Sequence, residues 1–199
     1  MIKELYAVAL MAVRLYAVLD PVGLIPVYLT LAADMTREQR ARVLKVASTV
    51  AAVLMSLFSL FGHGFIDVLG FEISSFKLSG GILLLILAVD ELGWGPRTRS
   101  LESGEELAVV PLAIPLLVGP GTITMILMFL AEGYHPLQVL AASLVAALAT
   151  YITLAASDRL MGLLGRSGAL ALSRFMAIIL AAFAAEMIHS ALVDWGIAR

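Results

Sequence analysis

Residues 5–32 read LYAVALMAVRLYAVLDPVGLIPVYLTLA, an apolar stretch interrupted by Arg14 and Asp20. A helix that spans a bilayer needs about 20 mostly apolar residues, and more when it is tilted or broken. The stretch is longer than the roughly 7–15-residue apolar core of a signal peptide, so we interpret it as a retained first membrane helix. The letters DPVG at 20–23 predict a break within it, because proline removes a helical hydrogen bond and clashes with the preceding turn.

The rest of the chain has the same character. The predicted membrane spans are 5–32, 43–62, 71–92, 107–131, 136–157 and 170–194. The chain is 61% hydrophobic and 14% charged, whereas soluble domains are about 45–50% apolar and about 25% charged. The connections between spans are short and polar. We therefore predict a single all-α, polytopic transmembrane domain over residues 1–199, with the lipid bilayer as its solvent.

The basic residues predict an orientation. Six spans put both termini on one side of the membrane, and that side holds three cations: Lys3, Lys77 and Arg199. The other side holds nine: Arg37, Arg40, Arg42, Lys45, Arg97, Arg99, Arg159, Arg166 and Arg174. Because cytoplasmic loops carry the excess of Lys and Arg, we expect a cell-membrane protein with both termini outside.

The two halves of the chain share landmarks. The first predicted helix breaks at Pro21 and the fourth at Gly119-Pro120-Gly121, and the third helix of each half opens with a cation, Lys77 or Arg174. The interval from Pro21 to Lys77 is 56 residues, and that from Pro120 to Arg174 is 54. Three spans per half invert the second half, so repeats of about 1–93 and 107–199 are predicted, as in many secondary transporters.

The two breaks predict a binding site. Half-helix N-termini offer N–H donors to an anion such as a carboxylate, which makes candidates of the residues at the breaks: Asp20, Pro21, Gly23, Gly119, Pro120, Gly121 and Thr122. Kinks satisfied by hydroxyls or water are the alternative for a single break. Asp20 has two compatible roles, an N-cap before Pro21 and a ligand for an ammonium group, a proton or a sodium ion.

Other charged residues have simpler interpretations. Arg14 and Glu186 lie at matching depths in the first and sixth predicted helices, so we expect a buried ion pair or, failing that, a snorkelling arginine and a proton-coupling glutamate. Asp90, Glu91 and Asp158 close predicted helices near the cytoplasmic interface, where solvated ends are expected. The absence of cysteine and the scattered histidines give no metal or catalytic site and no cofactor other than a coupling ion. No basic run indicates nucleic-acid binding, and no pattern specifies an oligomeric state.

Four motifs together resemble the MarC family: residues 20–26 (DPVGLIP), 76–83 (FKLSGGIL), 111–121 (PLAIPLLVGPG) and 173–176 (SRFM). The resemblance covers essentially the whole chain and implies a six-helix bacterial or archaeal membrane protein. The family includes SnatA-like transporters, which carry glycine, alanine and related small neutral amino acids with cation coupling by Na+ or H+. Leu24 stands where family members commonly have asparagine.

Both lines of reasoning predict a secondary transporter that works by alternating access and not an enzyme. N–H groups after Pro21 and Pro120 would hold the carboxylate of an amino acid, while Asp20 or backbone carbonyls would hold its ammonium. The alternatives are an exporter of drugs or metabolites, which would need an aromatic-lined cavity, and a non-transporting assembly or regulatory protein, which would leave Asp20 and the paired breaks without a role.

Overall fold

A computed structural model describes residues 2–33, 35–70, 72–94 and 118–198. Seven α-helices account for most of these residues: α1 Ile2–Leu19, α2 Pro21–Leu31, α3 Arg37–Leu69, α4 Ile73–Trp94, α5 Pro120–Ala131, α6 Pro136–Ala155 and α7 Ser157–Asp194. Within these ranges there is no strand. The prediction of an all-α polytopic membrane protein is therefore confirmed.

Five stretches of the described chain are long and apolar enough to cross a bilayer: Lys3–Leu29, Arg37–Gly62, Ile73–Gly93, Pro136–Ala155 and Ser167–Asp194. The helix α5 is a shorter apolar helix. It corresponds to the second half of the predicted span 107–131, and the first half of that span, with Pro111 and Pro115, lies outside the described residues.

Local chemistry starts the helices where the chain turns. Thr36 Oγ1 accepts from Gln39 N–H at 3.2 Å and Gln39 Oε1 accepts from Thr36 N–H at 2.9 Å, which is a capping box. As a result α3 starts at Arg37, six residues before the predicted span at 43. Pro120 and Pro136 occupy first helical positions, where the missing N–H of proline has no partner to lose.

The connection predicted before the sixth span is helical. Its residues form the first turns of α7, and Gly165, at φ 63 and ψ 176, separates them from the span that follows. A positive φ of this kind favours glycine, which has no Cβ to clash. The span after Gly165 is Ser167–Asp194, three residues longer at its start than the predicted 170–194, and a further helical segment precedes it.

Among the described helices, α4 and α7 make the most extensive contact. A Cβ built on Gly81 would lie less than 3 Å from the backbone oxygen of Ala184 and from the side chain of Ile188. Gly81 thus lets α4 approach α7 closely, as small residues do between membrane helices. Near the start of α4, Lys77 forms an ion pair with Asp194 at the end of α7, with Nζ 2.7 Å from Oδ2.

Further contacts between the described helices complete the bundle. The helix α3 packs on α6, α1 packs on α6, α2 packs on α7, and α5 packs on both α3 and α4. Hydroxyl pairs join the first two contacts: Ser59 Oγ lies 3.0 Å from Ser143 Oγ, and Tyr16 OH lies 2.8 Å from Thr153 Oγ1. This arrangement brings the α1–α2 break and the start of α5 to a common centre.

Candidate functional site

Asp20 forms the break between α1 and α2. It has a φ of 45, a left-handed conformation that Asp tolerates better than most residues. Its N–H donates to Tyr16 O at 3.1 Å, which ends α1. Its Oδ1 accepts from Gly23 N–H at 3.1 Å, which caps α2 in the manner expected of an N-cap aspartate. The side chain is nonetheless only 6% exposed, at a depth where a carboxylate is costly.

The start of α5 is a different kind of helix end. Its N-cap is Gly119, in an extended conformation, and no side chain within the described ranges caps it. Gly119 O accepts from Thr122 N–H at 3.1 Å and from Ile123 N–H at 3.3 Å. A helix N-terminus carries about half a positive charge. The start of α5 is therefore positive and uncapped, whereas the start of α2 already has a carboxylate.

The two helix starts share one cavity of about 30 Å³, room for about two water molecules. Its described lining is Val18, Leu19, Asp20, Gly23, Leu24, Val27, Leu84, Leu87, Glu91, Gly119, Gly121, Thr122 and Leu180. Five of the seven residues predicted from the breaks thus meet in one place. Pro21 and Pro120 begin the two helices and do not belong to this lining.

Glu91 is a site residue that the sequence interpretation missed. We expected a solvated helix end there, but Glu91 is 4% exposed and lines the cavity. Ser173 Oγ of α7, itself 2% exposed, donates a hydrogen bond to Glu91 Oε1. The helical period could have revealed it, because Gly80, Leu84, Ala88 and Glu91 recur at spacings of four, four and three and are all buried.

The carboxyl groups of Asp20 and Glu91 lie close together beside Gly23. A Cβ built on Gly23 would be less than 3 Å from Asp20 Oδ2 and from Glu91 Oε1. The two oxygens are therefore less than about 6 Å apart. Only a glycine at position 23 leaves room for both carboxyl groups. The glycine of the first break therefore has a steric role that the sequence alone did not reveal.

Leu84 closes the cavity against α5. The three atoms nearest to a Cβ built on Gly121 all belong to the Leu84 side chain. On the neighbouring turn, Gly80 packs in the same way against Thr124, whose hydroxyl donates to Pro120 O at 2.9 Å. Thr124 therefore bonds back within its own helix, while Thr122, 2% exposed, lines the cavity.

The expected ion pair between Arg14 and Glu186 is not formed. The salt bridges given for the described residues join Arg40 to Asp158 and Lys77 to Asp194. Arg14 is half-buried, and Glu186 is exposed on the outer face of α7. Matching depth fixes only the height of a residue along its helix. Glu186 is not among the described residues that line the cavity.

Comparisons with known proteins agree with this architecture. The chain is 33% identical over 184 residues to a UPF0056 membrane protein of Methanocaldococcus jannaschii, covering 87% of this chain and 90% of the relative. It is 34% identical over 190 residues to the UPF0056 inner membrane protein YhgN of Escherichia coli K12, covering 92% and 95%. A second M. jannaschii UPF0056 membrane protein is 35% identical over 196 residues, covering 91% and 84%. No solved structure matches the chain.

A family model covers nearly the full length. Residues 5–195 match the MarC family integral membrane protein model. The match includes both helix breaks, α4 with Glu91, and α7 with Ser173. The resemblance seen in the four sequence motifs is confirmed, and the chain belongs to the MarC family of integral membrane proteins.

Proposed function

We propose that this protein is a cation-coupled secondary transporter of small neutral amino acids, of the glycine and alanine type, working by alternating access. One observation carries the proposal: a single buried cavity is lined both by two carboxyl groups, of Asp20 and Glu91, and by the uncapped start of α5 at Gly121. An amino acid is a zwitterion, and its two charges complement these two features.

The substrate carboxylate belongs at the start of α5. Gly121 N–H and the positive helix end would stabilise it. The start of α2 is less suitable, because Asp20 already accepts from Gly23 N–H and adds a negative charge. The sequence suggested that both helix starts hold the carboxylate, and we now propose the start of α5 alone. The substrate ammonium then faces Asp20 and Glu91.

Charge balance supports cation coupling. Two carboxylates less than about 6 Å apart repel each other strongly in a buried, weakly screened cavity. The ammonium of one substrate compensates one of them. A second positive charge, a sodium ion or a proton, compensates the other, so substrate and cation would bind more tightly together than separately. The proposal requires no other cofactor and no catalytic chemistry.

The helix packing supports an inverted repeat of about 1–93 and 107–199. A two-fold relation between the halves exchanges α2 with α5, α3 with α6, and α4 with α7. Under this exchange the contact of α2 with α7 becomes that of α5 with α4, and both occur. The contacts of α3 with α6 and of α4 with α7 map onto themselves. Such repeats commonly rock about a central site.

The proposed orientation has both termini outside. It rests on the excess of Lys and Arg in the predicted connections before the second and sixth spans. In the structure these residues belong to the first turns of α3 and α7. Arg40 and Asp158 join these two helix starts at 3.7 Å, so they lie at one end of the helix bundle. The substrate cavity would then open alternately to the outside and to the cytoplasm.

An exporter of aromatic drugs is less well supported. The described lining of the cavity contains aliphatic, glycine and carboxyl residues and no aromatic ring. A purely structural or regulatory role gives no reason for two carboxyl groups to line one buried cavity, a costly arrangement within a membrane. The cavity therefore favours a small, charged, water-soluble substrate.

Transport in proteoliposomes tests the proposal. Purified protein is reconstituted, and uptake of labelled glycine and alanine is measured with an imposed sodium gradient, an imposed proton gradient, or neither. We expect uptake that depends on one gradient and is lost when unlabelled alanine competes. Folded, reconstituted protein that takes up neither amino acid under any gradient would contradict the proposed function.

A further inference from the structure

A second cavity lies between α3 and α6, at the surface of this pair of helices. This α3–α6 groove has a volume of about 540 Å³, about eighteen times that of the substrate cavity. Its walls are side chains of α3 from Lys45 to Leu60 and of α6 from Leu144 to Tyr151. Several of them are exposed, including Val53 at 53% and Leu148 at 59%. The groove is thus open to the surface that faces lipid.

One end of the groove is polar. Lys45, Ser48, Thr49 and Tyr151 line it there. Lys45 is exposed and, within the described ranges, forms none of the ion pairs, which involve Arg40 and Lys77 instead. Ser48 Oγ has no hydrogen-bond partner among the described residues. The Thr49 hydroxyl donates to Lys45 O at 2.8 Å, so this end offers an anion the exposed Lys45 ammonium.

The rest of the groove is mostly apolar. Val53, Leu57 and Leu60 line it on α3, and Leu144 and Leu148 line it on α6. The sixteen residues from Lys45 to Leu60 extend about 22 Å along the helix. One leaflet of the hydrocarbon core is about 15 Å thick. The groove as a whole is therefore longer than one leaflet is thick, and an acyl chain can lie along its apolar part.

We propose that the α3–α6 groove binds one anionic phospholipid. Its phosphate would contact Lys45, and an acyl chain would lie along the leucine side chains toward the middle of the membrane. The polar end is at the side of the membrane where Arg37, Arg40 and Arg42 precede Lys45 on α3, so a headgroup meets a basic interface. Ser56 also lines the remaining length, but its hydroxyl donates to Ala52 O at 2.6 Å.

Native mass spectrometry on delipidated protein tests this proposal without reference to transport. The protein is titrated with phosphatidylglycerol and with phosphatidylcholine of the same chains. We expect phosphatidylglycerol to bind more tightly. Lys45→Gln should weaken phosphatidylglycerol binding about fivefold, since one basic residue near the surface contributes about 1 kcal/mol. It should weaken phosphatidylcholine binding less, because the choline group offsets the charge of the phosphate.

Two matched variants identify the site. Arg37→Gln removes the same charge from the same helix outside the groove and should have a smaller effect than Lys45→Gln. Val53→Trp fills the apolar part and should weaken the binding of both lipids. Equal binding of the two lipids by the unmodified protein, or equal effects of Lys45→Gln and Arg37→Gln, would overturn the proposal. So would near-complete disulfide cross-linking between two copies that carry cysteine at Leu148, because the groove would then be an interface.

Discussion

Ser173 of α7 and Glu91 of α4 share a buried hydrogen bond at the wall of the cavity between the two helix starts. The Ser173 hydroxyl donates to Glu91 Oε1, and both side chains are nearly inaccessible. The same Oε1 lies beside Gly23, next to the Asp20 carboxyl. One oxygen therefore connects the packing of α4 on α7 with the break between α1 and α2. A motion of α4 relative to α7 would therefore move the Glu91 carboxyl relative to Asp20.

The first prediction concerns Glu91. Glu91→Gln keeps the size of the side chain and an oxygen that can accept from Ser173, but it removes the negative charge. A hydrogen bond to a charged group contributes about 1.5–3 kcal/mol, so we expect about tenfold or greater loss of amino-acid affinity. Uptake in proteoliposomes and binding by calorimetry would measure it. Asp90→Asn is the matched control, because Asp90 is exposed and should be replaceable.

The cation dependence of the same variant is informative. If Glu91 helps to bind the coupling cation, any remaining uptake by Glu91→Gln should respond less to the gradient. Wild-type affinity together with wild-type cation dependence would exclude Glu91 from the site.

The second prediction separates the two roles of Asp20. Asparagine keeps the cap on Gly23 N–H and tolerates a positive φ, so Asp20→Asn should unfold thermally close to wild type. It should nevertheless lose substrate binding, because it removes a carboxylate. Asp20→Ala should lose both, with about 1 kcal/mol of stability lost through the missing cap. Unchanged transport by Asp20→Asn would leave only the capping role.

Local chemistry explains why the breaks were predictable. Proline and glycine act through their own backbone, so the breaks at Pro21 and Pro120 could be predicted from the local sequence. The burial of Glu91 depends instead on Ser173 and Gly23, which are far away in the sequence. A helix end rich in polar residues is solvated by default, and only the regular recurrence of buried positions on α4 indicated otherwise.

The ion pair expected between Arg14 and Glu186 depended on two separate conditions, the depth of each residue and the rotation of each helix about its axis. Counting residues along two helices gives heights within the membrane, and these matched for Arg14 and Glu186. A contact also requires both side chains to face each other, which depends on how each helix is rotated in its packing. The sequence of α7 has apolar or small residues around most of its circumference, so its buried face is weakly marked.

The third prediction concerns orientation. The chain has no cysteine, so single cysteines can be introduced at exposed residues at opposite ends of the helices. A membrane-impermeant thiol reagent should label Glu132→Cys in intact cells, because both termini and the α5–α6 connection are expected outside. Glu38→Cys should be labelled only after permeabilisation. The reverse pattern would contradict the proposed orientation and leave the substrate site untouched.

The fourth prediction concerns Gly23. A methyl group there would lie less than 3 Å from both carboxyl groups, so Gly23→Ala should occupy the space between them and abolish substrate binding. Gly64→Ala is a matched control on α3, since a Cβ at Gly64 meets nothing within 4 Å. It should transport normally and unfold at or slightly above the wild-type temperature, because alanine favours helix more than glycine. Equal effects of the two substitutions would indicate a general response of helices to lost glycine.

The last prediction concerns substrate size and rests on the proposed transport activity. Leu84 packs against Gly121, beside the place where the substrate carboxylate is proposed to bind. Leu84→Ala should therefore admit larger side chains and raise the ratio of valine uptake to glycine uptake at least about tenfold, the low end of what one methylene contributes in an apolar pocket. A ratio within one protein sample does not depend on how much of the variant folds. Leu85→Ala is the control, because Leu85 is 38% exposed and faces away from the cavity. If the wild-type protein transports glycine and Leu84→Ala keeps the wild-type ratio, then Leu84 does not set the size limit, although the transport function stands.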